Sequence, residues 1–106
     1  MHAEENYTLE ILPVFEEDLQ EAVDYIQFTL RNPQAALKLL DDTFRAIHER
    51  LPVAESFERI PSKVDRQHPY YRIAVGNYMV LYVVIGHVME VRRFIYQRRN
   101  WRAWGL

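Results

Sequence analysis

Arginines interleaved with aromatic residues run through the last third of this sequence: Arg72, then Arg92, Arg93, Tyr96, Arg98, Arg99, Trp101, Arg102 and Trp104. A guanidinium fork grips phosphate through paired hydrogen bonds, while Tyr and Trp offer flat surfaces on which bases stack. No lysine follows Lys63. The pattern suits an anionic partner. It suits equally well the neutralisation of acidic helices within the same domain. Arg92 and Arg93 are neighbours on one expected strand, so they should point to opposite faces, with one of them meeting a helical layer.

Other chemistry finds little support. There is no cysteine, which removes disulfides, thiolate nucleophiles and Cys-based zinc sites. Only three glycines occur, so no Gly-rich phosphate loop exists. No His-x-x-x-His or Glu-x-x-His pair sits on an expected helix, and no metal or other cofactor is implied. Ser56 and Ser62 lack the strand-turn-helix setting of a serine nucleophile. Among the four histidines, His68 alone lies near the basic strands as a candidate general acid or base. It lacks a visible orienting partner and reads more simply as an exposed loop residue.

The formal net charge of −2 conceals an asymmetry. Residues 1–58 hold thirteen acids against four Lys/Arg, a balance of −9, and residues 59–106 hold two acids against nine, a balance of +7. One surface of the molecule should therefore face something anionic. At 106 residues with 49% hydrophobic and 26% charged side chains, the chain suits one compact domain spanning residues 1–106, the first six being loosely held. No apolar run approaches the ~20 residues that span a bilayer, and the polar, acidic start is unlike a signal peptide. No membrane association and a cytoplasmic location are expected.

Positioning the arginines falls to a small α+β frame. Tyr7, Leu9 and Ile11 alternate with polar residues, which predicts a first strand, β1, over residues 7–12. Pro13 opens a helix, α1, whose apolar stripe is Phe15, Leu19, Ala22, Val23, Ile26 and Leu30. Tyr25 and Phe28 lie beside that stripe as core margin or partner contacts. Asn32 then caps and Pro33 starts a second helix, α2, with its stripe at Leu37, Leu40, Phe44, Ile47 and Leu51. So short a link makes an antiparallel helical hairpin. Residues 52–69 hold three prolines and read as a long loop with a helical turn near 54–57. Three strands follow: β2 over 70–75, β3 over 78–85 and β4 over 88–96. Gly76-Asn77 and Gly86-His87 form two-residue turns of type II′ or I′. β3 is apolar on both faces and should be central. The fold class is α+β, ordered β-α-α-β-β-β, with the helical hairpin on one face of a mainly antiparallel four-stranded sheet. The tail at 98–104 suits one helical turn.

Three segments on this frame resemble the RelE/ParE superfamily of toxins from bacterial type II toxin–antitoxin systems, across about residues 7–102. They are residues 17–26 with Asn32-Pro33-Gln34-Ala35-Ala36, then residues 71–82, then residues 91–101 ending in Arg99-Asn100-Trp101. The resemblance implies a toxin neutralised by a cognate antitoxin that wraps around it. RelE-type members cut messenger RNA on the ribosome, whereas ParE-type members bind and trap DNA gyrase. In a RelE-type reading Arg72 matches a basic residue on β2, Arg98 an arginine after β4, and Trp104 stands where a catalytic Tyr is usual. That chemistry is attack of a ribose 2′-OH on the adjacent phosphate, needing a base, cations and an acid. Arg93, Tyr96, Arg99, Trp101 and Arg102 would contact the target in either reading. Two residues depart from the nuclease pattern. Met79 replaces an arginine, and the Trp104 indole cannot act as a proton-donating acid as Tyr or His can. The Arg99-Asn100-Trp101 ending and the modest net charge point to the ParE type. A non-toxic member that acts only as a protein-binding partner is the competing reading.

Overall fold

A computed structural model of the chain describes residues 6–61 and 67–99. The order is β1 (Thr8–Ile11), α1 (Pro13–Asp24), a π-helical turn (Tyr25–Thr29), α2 (Pro33–Arg50), a 3₁₀ turn (Leu51–Val53), β2 (Tyr71–Val75), β3 (Tyr78–Ile85) and β4 (Val88–Tyr96). The strands lie in the order β1-β4-β3-β2. β1 runs parallel to β4, while β4, β3 and β2 are joined antiparallel. The β-α-α-β-β-β frame and its mainly antiparallel sheet are thus present. No described helix is long and apolar enough to cross a membrane.

Local chemistry explains the joints. Pro13 begins α1, and the Asn32 Oδ1 accepts the Ala35 N–H at 3.1 Å to start α2, one residue before Pro33. Gly76 and Gly86 have φ of +57° and +61°, whereas Asn77 and His87 do not adopt positive φ. A type I′ turn needs positive φ at both central positions, so the hairpins follow the Gly-first type II′ pattern.

The helical hairpin covers one sheet face. Phe15, Leu19, Ala22, Leu39 and Ile47 pack against Val80, Tyr82, Val91 and Phe94. Each large apolar side chain so buried stabilises the fold by about 1.5–3 kcal/mol. Thr43 is the buried polar residue in this layer, and its hydroxyl donates to the Leu39 carbonyl at 2.7 Å. The opposite face carries a second cluster of Ile60, Tyr70, Met79, Leu81, Val83 and Ile95. Ile60 and Tyr70 belong to the loop before β2, where the Ile60 N–H donates to the Tyr70 carbonyl at 2.8 Å. The loop therefore serves as part of a second core layer. This is why β3 is apolar on both sides.

Three expectations need correction. The α1 stripe ends early: the Leu30 N–H bonds the Tyr25 carbonyl five residues back, and the extra residue in that turn rotates Phe28 and Leu30 outward. Tyr25 and Phe28 are consequently 51% and 68% exposed rather than core margin. Leu37 is 66% exposed, because the seam of α2 runs along Ala36, Leu39, Thr43 and Ile47, a quarter turn away. Ala36 and Thr43 are small, so a stripe of large apolar residues does not mark this seam. The helical turn expected at 54–57 forms instead at Leu51–Val53, as a direct continuation of α2.

Candidate functional site

The expected site residues fall on β2 and the far end of β4. Arg72 sits at an alternating position of β2, exposed, while Tyr71, Ile73 and Val75 point into the helical layer. β2 is an edge strand, and its position is fixed from outside by Arg50 at the end of α2. The Arg50 guanidinium donates to the Arg72 carbonyl at 3.3 Å and to the Tyr82 Oη at 2.8 Å, and it lies 3.5 Å from the Phe57 ring centre. Tyr82 stacks on Tyr71 at 5.1 Å and donates its own hydroxyl proton to the Ala54 carbonyl at 2.8 Å. Burial pushes the Tyr82 phenol above its usual pKa, with the Arg50 charge partly opposing that shift. This network ties α2, the following loop and β2 into one unit.

β4 carries a bulge. Leu81 pairs with Arg93 and Tyr82 with Val91, so Arg92 is the extra residue. The two adjacent arginines part company there, as the sequence suggested. Arg92 donates to Glu90 at 2.6 Å and to the Tyr70 Oη at 3.5 Å, near the loop. Arg93 reaches α1, where its Nε and a terminal nitrogen bond both Asp18 oxygens at 2.7 and 3.1 Å. Asp18 also accepts the Phe94 N–H at 3.0 Å. β1 pairs no further than Val91, so this carboxylate closes backbone that β1 leaves open on the edge of β4. A target contact through Arg93, expected from the sequence, would require this pair to open.

Beyond β4 the chain is hooked to the first hairpin. The Gln97 side chain donates to the Gly76 and Tyr78 carbonyls at 2.9 and 3.1 Å, and its N–H donates to Asn77 O at 2.8 Å. Arg98 lies exposed in a hollow with Gly76, Asn77 and Tyr96. Around the corner, a groove of about 280 Å³ runs between α1 and the ends of β3 and β4. Tyr25, Tyr78, Tyr96, Glu21 and Arg99 are among its walls. Tyr96 meets Tyr78 edge-on at 5.4 Å, and burial beside Tyr96 and Tyr25 pushes the Tyr78 phenol upward.

The structure thus brings Tyr96, Arg98 and Arg99 to one end of the sheet, with Arg93 behind them on Asp18. Arg72 is apart: its register row lies three rows from the Tyr78–Tyr96 pair, about 10 Å at the rise of a strand. Trp101, Arg102 and Trp104, and the helical turn expected around them, lie outside the described residues. His68 is half-buried just before β2. Met79 is 3% exposed in the second apolar cluster. Among the described residues no group of three or more His, Asp or Glu side chains is placed to hold a metal ion. Sequence reasoning missed Asp18 and Arg50. Neither spacing nor composition marks one acid on an acidic helix as the partner of a strand 75 residues away.

Comparison with known proteins adds the following. The model of the family described as the ParE toxin of type II toxin–antitoxin systems, parDE, matches residues 9–101. A solved structure described as the chromosomal ParDE TA system from P. aeruginosa has a TM-score of 0.71 at 20% identity, covering 87% of this chain and 97% of that one. The archaeal RelE–RelB complex from Pyrococcus horikoshii OT3 has a TM-score of 0.51 at 24% identity, covering 90% and 99%. At those identities both bear on the fold. No curated protein matches the sequence significantly.

Proposed function

Because the chain belongs to the ParE toxin family of type II toxin–antitoxin systems, we propose that it arrests growth by binding DNA gyrase and is neutralised by a cognate antitoxin. It acts in the cytoplasm, where its target works. The observation that carries the choice of target is Met79. The nuclease reading wants an arginine there, and the position lies inside an apolar cluster with Leu81, Val83 and Ile95. A charged side chain at that depth would lose its hydration without a partner. The two arginines of the nuclease reading, Arg72 and Arg98, are both exposed but separated along the sheet, which suits a binding surface better than a cluster focused on one phosphate. Tyr96, Arg98 and Arg99 form the core of the surface that meets the target, continued by Trp101 and Arg102, with Arg72 at its margin. Trp104 belongs to the same segment, without an acid's role.

Two assays on purified protein separate the readings. Gyrase binding predicts lost supercoiling with cellular messages intact. Ribosome-directed cleavage predicts new 5′ ends in primer extension with gyrase unaffected. A non-toxic binding partner predicts normal growth when the chain is expressed alone.

A further inference from the structure

Between Asp24 and Arg31 the chain runs uncharged, and three large side chains of that run face water: Tyr25, Phe28 and, at 55% exposure, Leu30. Two backbone features put them there. The π turn rotates Phe28 and Leu30 outward. Arg31 then follows in the left-handed region at φ +54°, where glycine would be relaxed and arginine is strained. A cation serving only the helix end could sit a turn earlier without that strain. Apolar surface held out in this way marks a contact. We infer that the turn is a self-complementary dimer contact, in which residues 24–31 pack antiparallel, about a two-fold axis, on the same residues of a second copy of the chain.

The charges carry the choice of occupant. Asp24, Phe28 and Arg31 are all exposed, and spacings of four and three set them along one side of the turn. The midpoint of 24 and 31 falls between Gln27 and Phe28. A two-fold axis there brings the two Phe28 rings together and sets Asp24 of each copy against Arg31 of the other, the isologous pattern of a symmetric dimer. Parallel packing would set like charges face to face. Asp24 accepts a bond from the Gln20 amide at 2.9 Å and keeps lone pairs for a guanidinium. Glu17 and Glu21 lie further back on α1, so the two acidic helices lead away from the axis in opposite directions. A contact of one helical turn and its flanks belongs with interfaces below about 1,200 Å², so the dimer is weak and forms with rising concentration. Its affinity comes from the apolar side chains, and the exposed ion pairs set the orientation. The inference is independent of which cellular target the protein meets. Tyr25 also walls the groove that holds Tyr96 and Arg99, so the dimer carries two copies of that surface beside its contact.

Sedimentation equilibrium of the purified full chain tests this. The wild-type average mass should climb with concentration towards twice that of the chain. Phe28→Ser should weaken association roughly tenfold or more, as truncation at the centre of a contact does, with circular dichroism unchanged. Asp24→Arg and Arg31→Asp should each weaken it as well, and the double variant, which restores opposite charges across the axis, should recover wild-type association. A chain that stays monomeric to millimolar concentration overturns the inference. So does a dimer indifferent to Phe28→Ser, or one in which the charge-swapped double variant is no better than the single ones.

Discussion

Asp18 on α1 and Arg93 on β4 form a two-pronged pair, 2.7 and 3.1 Å, and the same carboxylate takes the Phe94 N–H. Hydrogen bonding to Asp18 is the first cause raising the Arg93 pKa, so this guanidinium is held charged. The two side chains are only 17% and 23% exposed. Removing one partner strands the other's charge and a backbone donor. Asp18→Ala should therefore cost about 2–4 kcal/mol in urea unfolding. Asp18→Asn should cost less, since it keeps an acceptor. Arg93→Ala should also destabilise, so any loss of toxicity in that variant has to be judged against the amount of folded protein.

Arg50 and Tyr82 make a pH prediction. Burial raises the Tyr82 phenol above its ordinary pKa in the folded state. The folded protein then binds that proton more tightly than the unfolded chain does. The stability it contributes is complete below the unfolded pKa and is lost as pH rises from about 10 through the folded value. Wild-type protein should lose stability steeply on that alkaline side. Tyr82→Phe should flatten the slope, while costing about 1–3 kcal/mol at neutral pH by orphaning the Ala54 carbonyl and the Arg50 donor.

Met79→Arg separates the buried role of this residue from a decayed catalytic one. Placing a guanidinium among Leu81, Val83 and Ile95 should destabilise the fold by on the order of 3–5 kcal/mol. Thermal unfolding should show a much lower midpoint and no gain of ribosome-dependent cleavage. New cleavage from a stably folded variant would count against the gyrase reading.

Arg98 and Arg99 are exposed, so their replacement tests the surface without testing the core. Arg98→Ala and Arg99→Ala should each leave the unfolding free energy within about 0.5 kcal/mol of wild type. Together they should weaken gyrase inhibition roughly tenfold or more, the loss expected when about 1.4 kcal/mol of binding is removed. Full potency with both arginines gone would move the target surface elsewhere.

Much of this architecture is legible in the residues themselves. Asn32-Pro33, the Gly-first turns and the two-faced apolar run at 78–85 each have one local physical meaning, and each is realised. The features that escaped are those decided by tertiary contact. The π turn at Tyr25–Thr29 depends on how α1 meets α2, and the bulge at Arg92 on how β4 leaves β1 behind. Leu37 fits a helical stripe perfectly well. It faces water because Ala36 and Thr43 let α2 approach the sheet more closely on another face. At the site, the sequence identified the arginines but not their employment: Arg93 and Asp18 are matched only once α1 lies along β4.

The most direct test of the central claim is a DNA supercoiling assay with purified gyrase and the purified, folded chain. The account predicts that supercoiling falls in proportion to toxin concentration and that the Arg98→Ala, Arg99→Ala double variant restores it. Undiminished supercoiling by a chain that nonetheless arrests growth would contradict it.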